Sequence, residues 1–506
     1  MQLLGLEKIS LPSWLSWVDT RSTLVFSVTF LTGMLWTSSQ RKKNPPPGPM
    51  IWPIIGNLPQ VSREMRKHKN QSKMLQEFSK QYGPVISLHL GPQDIVFVTD
   101  YDLIKEVPQT NAFEYSNRPS DIFFEEFNHN NGMLFANGKK WEEIRKFTVV
   151  ALRDFGVGKR SLEFIVQKEA ELICEKMVSE KEPFYPKKYM GLAVANVIFN
   201  IVFGDRFEYD DPDFMDILAK MDFMARSVGA TTIDRFIRIL RYIPIDTPWK
   251  KVLRNRNQLE KYTYKKIEEH KETFDPNVMR DYIDLYLKIT QEGHKYETLT
   301  EPHPFQTIFD LYFAGAETTS TSLDWFILYM IIHPDIQKKI QQEIEQVVGD
   351  GRKVTLEDRG AMPYTVAALQ ELQRVVSIAP TTVPHCTVKD THLNGYFIPE
   401  DTMVIPHIAS IHLNPKYFPE PLKFEPERWL DGGKLIKSEH FLPFGIGPRK
   451  WVGENLAKME LFIFATNFLQ HYNFKLADGH PKPTTEGTNT GITMQSQPYY
   501  IKVERR

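Results

Sequence analysis

The sequence predicts a mainly α fold with small β-sheets, built as one large domain behind an N-terminal membrane anchor. Three observations carry that expectation. The 506 residues are 42% apolar, 12% aromatic and 25% charged, a composition suited to a packed globule and unsuited to a disordered chain or a fibre. Apolar residues recur at three- and four-residue spacing through most of the chain, which is the helical period. One segment, 22–40, carries no charged side chain. Lys and Arg number 62 against 63 Asp and Glu, so a net charge of −1 offers no field for nucleic acid. Two cysteines exclude a disulfide framework and a multi-cysteine zinc cluster.

In chain order, residues 1–21 read as a luminal or interfacial N-terminus, with Trp14, Leu15 and Trp17 suited to a membrane surface. Residues 22–40 are just long enough for a membrane helix, which takes roughly 20 residues. Arg41-Lys42-Lys43 stands where a signal peptide would have its small-residue cleavage site, and the positive-inside rule then places the downstream chain in the cytosol. Residues 41–50 form a basic and Pro-rich linker, since Asn44-Pro45-Pro46-Pro47-Gly48-Pro49 cannot continue a helix and favours a stiff, extended arm. Residues 51–506 read as one domain without repeats.

Within that domain, Val85–Leu90 and Ile95–Val98 around Gly91-Pro92 predict a β-hairpin. Helical spacing follows near 140–155, 160–180, 190–203, 212–228 and 250–272. The longest helix is expected from Pro304 to His333, stopping at Pro334, and it is apolar around much of its circumference. Strand-like pieces return near 383–388, 396–405 and 490–503.

Four constellations carry candidate chemistry. Inside the long helix, Ala314-Gly315-Ala316-Glu317-Thr318-Thr319 sets small residues, an acid and hydroxyls in an apolar run. Small residues admit a flat ligand to the backbone, and Thr bonding back to a carbonyl distorts the helix. Glu371 and Arg374 lie one helical turn apart. Phe424-Glu425-Pro426-Glu427-Arg428-Trp429 supplies a further arginine. Finally, the glycine-rich stretch Phe441–Ala457, with Phe444, Gly445, Arg449, Trp451 and Gly453, runs into a helix. Lys450 falls where the third glycine of a dinucleotide fingerprint would stand, so that reading fails.

Together and in this order, the four constellations resemble the cytochrome P450 family of haem-thiolate monooxygenases, most of all its animal microsomal branch. The likeness runs from the anchor to the C-terminal strands. It implies a P450-like catalytic domain over 51–506 that binds haem b (iron protoporphyrin IX). It implies hydroxylation of a lipophilic substrate (a steroid, fatty acid or xenobiotic) with O2 and electrons from NADPH through NADPH–cytochrome P450 reductase. The location implied is the endoplasmic reticulum membrane, single-pass, with the catalytic domain in the cytosol. By the same resemblance Ala314 and Gly315 lie over the haem, and Glu317 and Thr318 deliver protons. Trp141, Arg145, His385 and Arg449 serve the propionates, and Phe444, Gly445 and Gly453 shape the haem loop. Glu371, Arg374 and Arg428 form a structural triad.

One position departs from the pattern. Where the resemblance implies the cysteine that ligates iron, this chain has Trp451. A thiolate is a soft anionic donor, whereas an indole N–H has no lone pair to give to a metal. Cys386 and Cys174 stand elsewhere in the sequence and are not expected to replace it. Three readings follow: an oxygenase lineage altered at one residue, a silent lipophile-binding pseudoenzyme, or a thiolate-free isomerase or cyclase. The substrate pocket is expected around Phe113, Phe123, Phe124, Phe127 and Phe135, with 210–240 and the long helix.

Overall fold

The computed structural model describes residues 20–39, 44–52, 55–90, 93–119, 126–129, 131–155, 160–229, 244, 246–292, 296–299, 304–349, 351–488 and 492–506. Residues 1–19, the basic triplet 41–43, the hairpin turn at 91–92, Phe123, Phe124 and 230–243 lie outside the described residues.

The charge-free segment forms one helix, α1 (Thr20–Ser39). Leu24, Val25, Val28 and Leu31 are all more than half exposed on it. The hydroxyls of Ser27, Thr29 and Thr32 donate to the carbonyls of Thr23, Val25 and Val28 at 2.8, 2.7 and 2.6 Å. These hydroxyl residues dilute the apolar run, and among the described residues no helix is long and apolar enough to cross a membrane. The proline arm is tied to the domain: Ser87 N donates to Pro47 O at 2.8 Å, and Phe397 N donates to Asn44 O at 2.9 Å.

The main sheet brings together residues some 300 positions apart in sequence. Strands β1 (Val85–Leu90) and β2 (Gln93–Val98) pair antiparallel as the expected hairpin, Val85 opposite Val98. β2 then runs parallel to β4 (Met403–Pro406), which pairs antiparallel with β3 (His385–Cys386), giving the order β1-β2-β4-β3. A separate ribbon joins Tyr472–Leu476 to Ile501–Arg505, so the strand expected over 490–503 is confined to its end.

Helices make up the body: α2 (Gly138–Asp154), α3 (Arg160–Ser179), α4 (Lys187–Phe203), α5 (Pro212–Gly229), α6 (Pro248–Glu272) and α7 (Tyr282–Glu292). The expected long helix is two helices, α8 (Pro304–Tyr312) and α9 (Thr318–Ile332), joined by a wider π turn over Phe313–Glu317. Thr318 Oγ1 donates to Ala314 O at 2.7 Å, so the side chain bonds the backbone inside the turn. Leu323, Trp325, Phe326, Leu328 and Met330 are all buried, which makes α9 the centre of the core. Two further helices, α10 (Pro363–Val376) and α11 (Glu454–His471), pack beside it.

Of the phenylalanines expected to line a pocket, Phe113 is 78% exposed. Phe127 and Phe135 are buried, and Phe127 packs edge-on against Phe309 with ring centroids 5.5 Å apart.

Candidate functional site

A cavity of about 790 Å³ opens where the π turn faces the glycine-rich loop. Ala314 and Gly315 form one wall with Ile198, Ile201 and Val202 of α4; Trp451, Gly453, Leu456 and Ala457 line it from the loop and α11. A Cβ at Gly315 would stand 2.7 Å from Ile198 Cδ1, so a larger residue there would push that side chain aside. The loop is bent by Gly447 at φ +81°, where a Cβ would meet Pro108 O at 1.8 Å, and by Gly445 at φ +70°. Trp451 N donates to Phe444 O at 3.1 Å, which closes the loop on itself.

A second cavity of about 540 Å³ is lined by Thr318, Ser377, His412 and Phe444. Thr319, Trp451 and Ala457 line both spaces, so the indole stands between them.

Three arginines give the first cavity a cationic edge, Arg118, Arg145 and Arg449, and Trp141 lies among them. The Arg449 guanidinium lies over the Trp141 ring, its carbon 4.0 Å from the centroid. Arg449 Nη1 donates to Ala136 O at 2.9 Å and Nη2 to Ser116 O at 3.0 Å, while buried Nε has no partner. Arg145 Nη2 donates to Lys450 O at 2.7 Å. Arg118, 5% exposed, donates to the carbonyls of Leu134, Val383 and Pro384. Among the described residues none of the three guanidiniums has a carboxylate partner. Burial and mutual repulsion accordingly hold Arg118 well below its ordinary pKa and Arg449 at about 9. Lys450, by contrast, pairs with Glu454 at 2.5 Å.

Sequence reasoning missed Arg118 and Glu460. Arg118 stands before a proline in a polar stretch, Ser116-Asn117-Arg118-Pro119-Ser120, which gave no signal of its burial. Glu460 is fully buried on α11, where it accepts from Thr319 Oγ1 at 3.1 Å and leaves Oε1 without a partner. Burial pushes its pKa up to about 8, which favours the neutral carboxyl. It is the one acid among the described residues that line this cavity.

Other expected residues sit apart. His385 is not part of the wall. Its Nδ1 lies 2.9 Å from Tyr115 O, which can only accept, so Nδ1 carries the proton. Burial, with Arg118 nearby, pushes its pKa down to about 3, and the neutral ring has only an acceptor left at Nε2. Glu317 faces a polar group at the C-terminal loop: Gln495 Nε2 donates to Oε1 at 2.8 Å, Thr493 Oγ1 donates at 3.2 Å, and Lys187 Nζ lies at 3.7 Å. Thr318 lines the second cavity with Phe444.

Glu371, Arg374 and Arg428 meet in the interior. Arg374 makes two bonds of 2.8 Å to Glu371, and Arg428 Nε donates at 3.1 Å. Trp429 Nε1 adds a donor at 2.9 Å and Glu425 N another at 3.1 Å. Neither Glu371 nor Arg374 is exposed at all.

An apolar slot with an unbalanced cationic edge, set between a distorted central helix and a glycine-bent loop, suits a largely apolar ligand that bears negative charge. The comparisons specify which. The family model described as Cytochrome P450 matches residues 46–503. The chain is 39% identical over 476 residues to cytochrome P450 2C25 of Mesocricetus auratus, covering 92% of this chain and 95% of that one. It is 37% identical over 445 residues to cytochrome P450 2H2 of Gallus gallus (87% and 89% covered) and 36% identical over 476 to cytochrome P450 2A12 of Mus musculus (92% and 95%). This chain belongs to the cytochrome P450 family, and by family it is a haem monooxygenase of lipophilic substrates.

The residues present fit that haem in one respect and not in another. Apolar walls and three unpaired guanidiniums suit a planar ring bearing two carboxylates. The donor set does not suit thiolate-bound iron. Cys174 is buried in α3 and Cys386 in β3, and neither lines either cavity. The one histidine in the two walls, His412, has both ring nitrogens engaged, with Ser377 Oγ at 2.8 Å and Leu442 N at 2.9 Å.

Proposed function

We propose that this chain is a lipophile-oxidising cytochrome P450 whose oxygen chemistry is silent as the sequence stands, because Trp451 occupies the thiolate position. The observation that carries it is the indole of Trp451 in the wall of the cavity, with no cysteine lining that space. The indole has no lone pair for iron, and it fills room that a cysteine would leave open. The scaffold around it keeps Ala314, Gly315, Thr318, Arg145 and Arg449 in or beside the cavities and the Glu371 cluster intact. That pattern favours a change at one residue over a pocket remade for other chemistry.

The finer reading follows the family. The substrate would be a steroid, fatty acid or xenobiotic. Electrons would come from NADPH–cytochrome P450 reductase docking near Lys450, Arg145 and Lys146. The protein would sit on the endoplasmic reticulum membrane, held by α1 through Leu24, Val25, Val28 and Leu31; the hydroxyls on that helix bond its own carbonyls, which lowers the cost of placing them in lipid.

The test is the full-length chain beside Trp451→Cys, each measured for haem content and for the absorption of its reduced, CO-bound form. The expected result is a thiolate-type band from W451C alone. Such a band from the unaltered chain overturns the proposal.

A further inference from the structure

A third cavity, of about 710 Å³, lies between α2, α7 and α8. Its described lining shares no residue with the other two. Helical spacing keeps them apart: Lys140, Ile144 and Phe147 turn one face of α2 to it, while Trp141, Arg145 and Leu152 turn another to the first cavity. Phe147, Tyr282 and Tyr286 are buried, and Phe147 meets the two tyrosines edge-on with ring centroids 5.2 and 6.1 Å apart, so packed rings form one wall. Asn131, Thr298 and Thr307 add polar groups. Half-buried Lys140 is the one cation in the described lining, and no acid stands there beside it. Its ammonium donates to Asn131 Oδ1, a neutral amide, and has no carboxylate partner among the described residues. Glu143, one turn along α2, is engaged elsewhere, accepting from Thr298 N at 2.8 Å and Thr298 Oγ1 at 2.6 Å. An ammonium carries more N–H donors than the single bond to Asn131 uses.

We propose that this third cavity binds a small aromatic carboxylate, its ring against Phe147, Tyr282 and Tyr286 and its head on Lys140. The packed rings favour a flat aromatic body over a flexible chain, and one lysine balances a monoanion. Such a site involves neither haem nor residue 451, so it goes beyond the silent-oxygenase reading and stands whether or not W451C acquires thiolate ligation.

The experiment titrates the full-length chain by calorimetry with 2-naphthoate and with its neutral counterpart of the same shape, 2-naphthamide. The acid is expected to bind about tenfold more tightly than the amide, the scale of one charge-assisted hydrogen bond. Lys140→Gln, which still offers a donor to Asn131, should bring the acid down to the affinity of the amide and leave the amide unchanged, whereas Lys140→Arg should keep the preference. Ile144→Phe adds bulk to the same wall and should weaken acid and amide together, an effect that a lysine acting on an open surface would not show. Thermal melts establish which variants are folded; if I144F is not, the two lysine variants decide. An acid held by the arginines of the first cavity instead would keep its preference in K140Q. Equal binding of acid and amide, binding of neither, a preference that survives in folded K140Q, or unchanged affinities in folded I144F overturns the proposal.

Discussion

Glu371 shows how much of this molecule hangs on single side chains. Its carboxylate receives two bonds from Arg374, one each from Arg428 and Trp429, and one from Glu425 N. Arg374 in turn donates to the carbonyls of His412, Pro421 and Lys423, so one buried ion pair fixes α10 against the loop that leads to the cavity. Removing the acid would strand a guanidinium that is not exposed at all. Glu371→Ala is therefore expected to cost about 3–5 kcal/mol, the range for breaking a buried pair. A denaturant melt checks it, and a midpoint close to the parent's would contradict it. Gly447→Ala should be more drastic. A methyl there would overlap Pro108 O, and the backbone lies in the left-handed region, so soluble yield is expected to collapse. The sequence displayed Glu371 and Arg374 as an ordinary pair one turn apart. Their burial, and Trp429 as a partner, depend on contacts between residues some 55 positions apart, which no local pattern encodes. The surroundings of His385, expected beside a propionate, are as non-local: its tautomer is set by Tyr115 O, a backbone atom 270 positions away in sequence.

At the scale of elements, periodicity was legible wherever burial follows one face. The helices at 140–155, 160–180 and 250–272 and the first hairpin appear close to where spacing placed them. The division of the long helix was less legible, because α8 and α9 are apolar on all sides and the π turn shows only as small residues and hydroxyls. The clamp on α7 was not legible at all. His270 of α6 has Nδ1 2.7 Å from Lys266 O and Nε2 2.8 Å from Asp281 Oδ2, both acceptors, so the ring is bound as an imidazolium. Around it stand Asp284, itself held by Arg280, and Lys266, paired with Asp205 after α4. The Asp281 hydrogen bond raises the His270 pKa above its ordinary 6.5. A raised histidine gives its stabilisation in full below the unfolded value and loses it as pH rises through the folded one. Thermal stability should fall across that window, and His270→Gln should flatten the fall. An unchanged pH profile in H270Q would remove the clamp from the account.

For the molecule as a whole, three buried carboxyls lie on or against the central helix pair, and their environments rank them. Burial raises all three, and hydrogen-bond donors pull each back. Asp324 has Ser496, Tyr499 and Tyr185 as donors and rises to about 6; Asp310 has Leu134, Gln306 and Met133 and rises to about 7. Glu460, with Thr319 alone, rises to about 8. In each case the folded state keeps a proton that the unfolded chain has already released, so stability falls as pH climbs from the unfolded value to the folded one. Each retained proton contributes a slope of about 1.4 kcal/mol per pH unit. The decline should therefore extend furthest for Glu460, whose window runs from its ordinary 4.5 to about 8. Glu460→Gln keeps an oxygen for Thr319 and has nothing to ionise. Denaturant melts from pH 5 to 8 should show the parent losing stability with a slope steeper than that of E460Q by about 1.4 kcal/mol per unit. Parallel slopes would mean that Glu460 is already charged when buried. The first cavity would then hold an anion of its own opposite its three arginines.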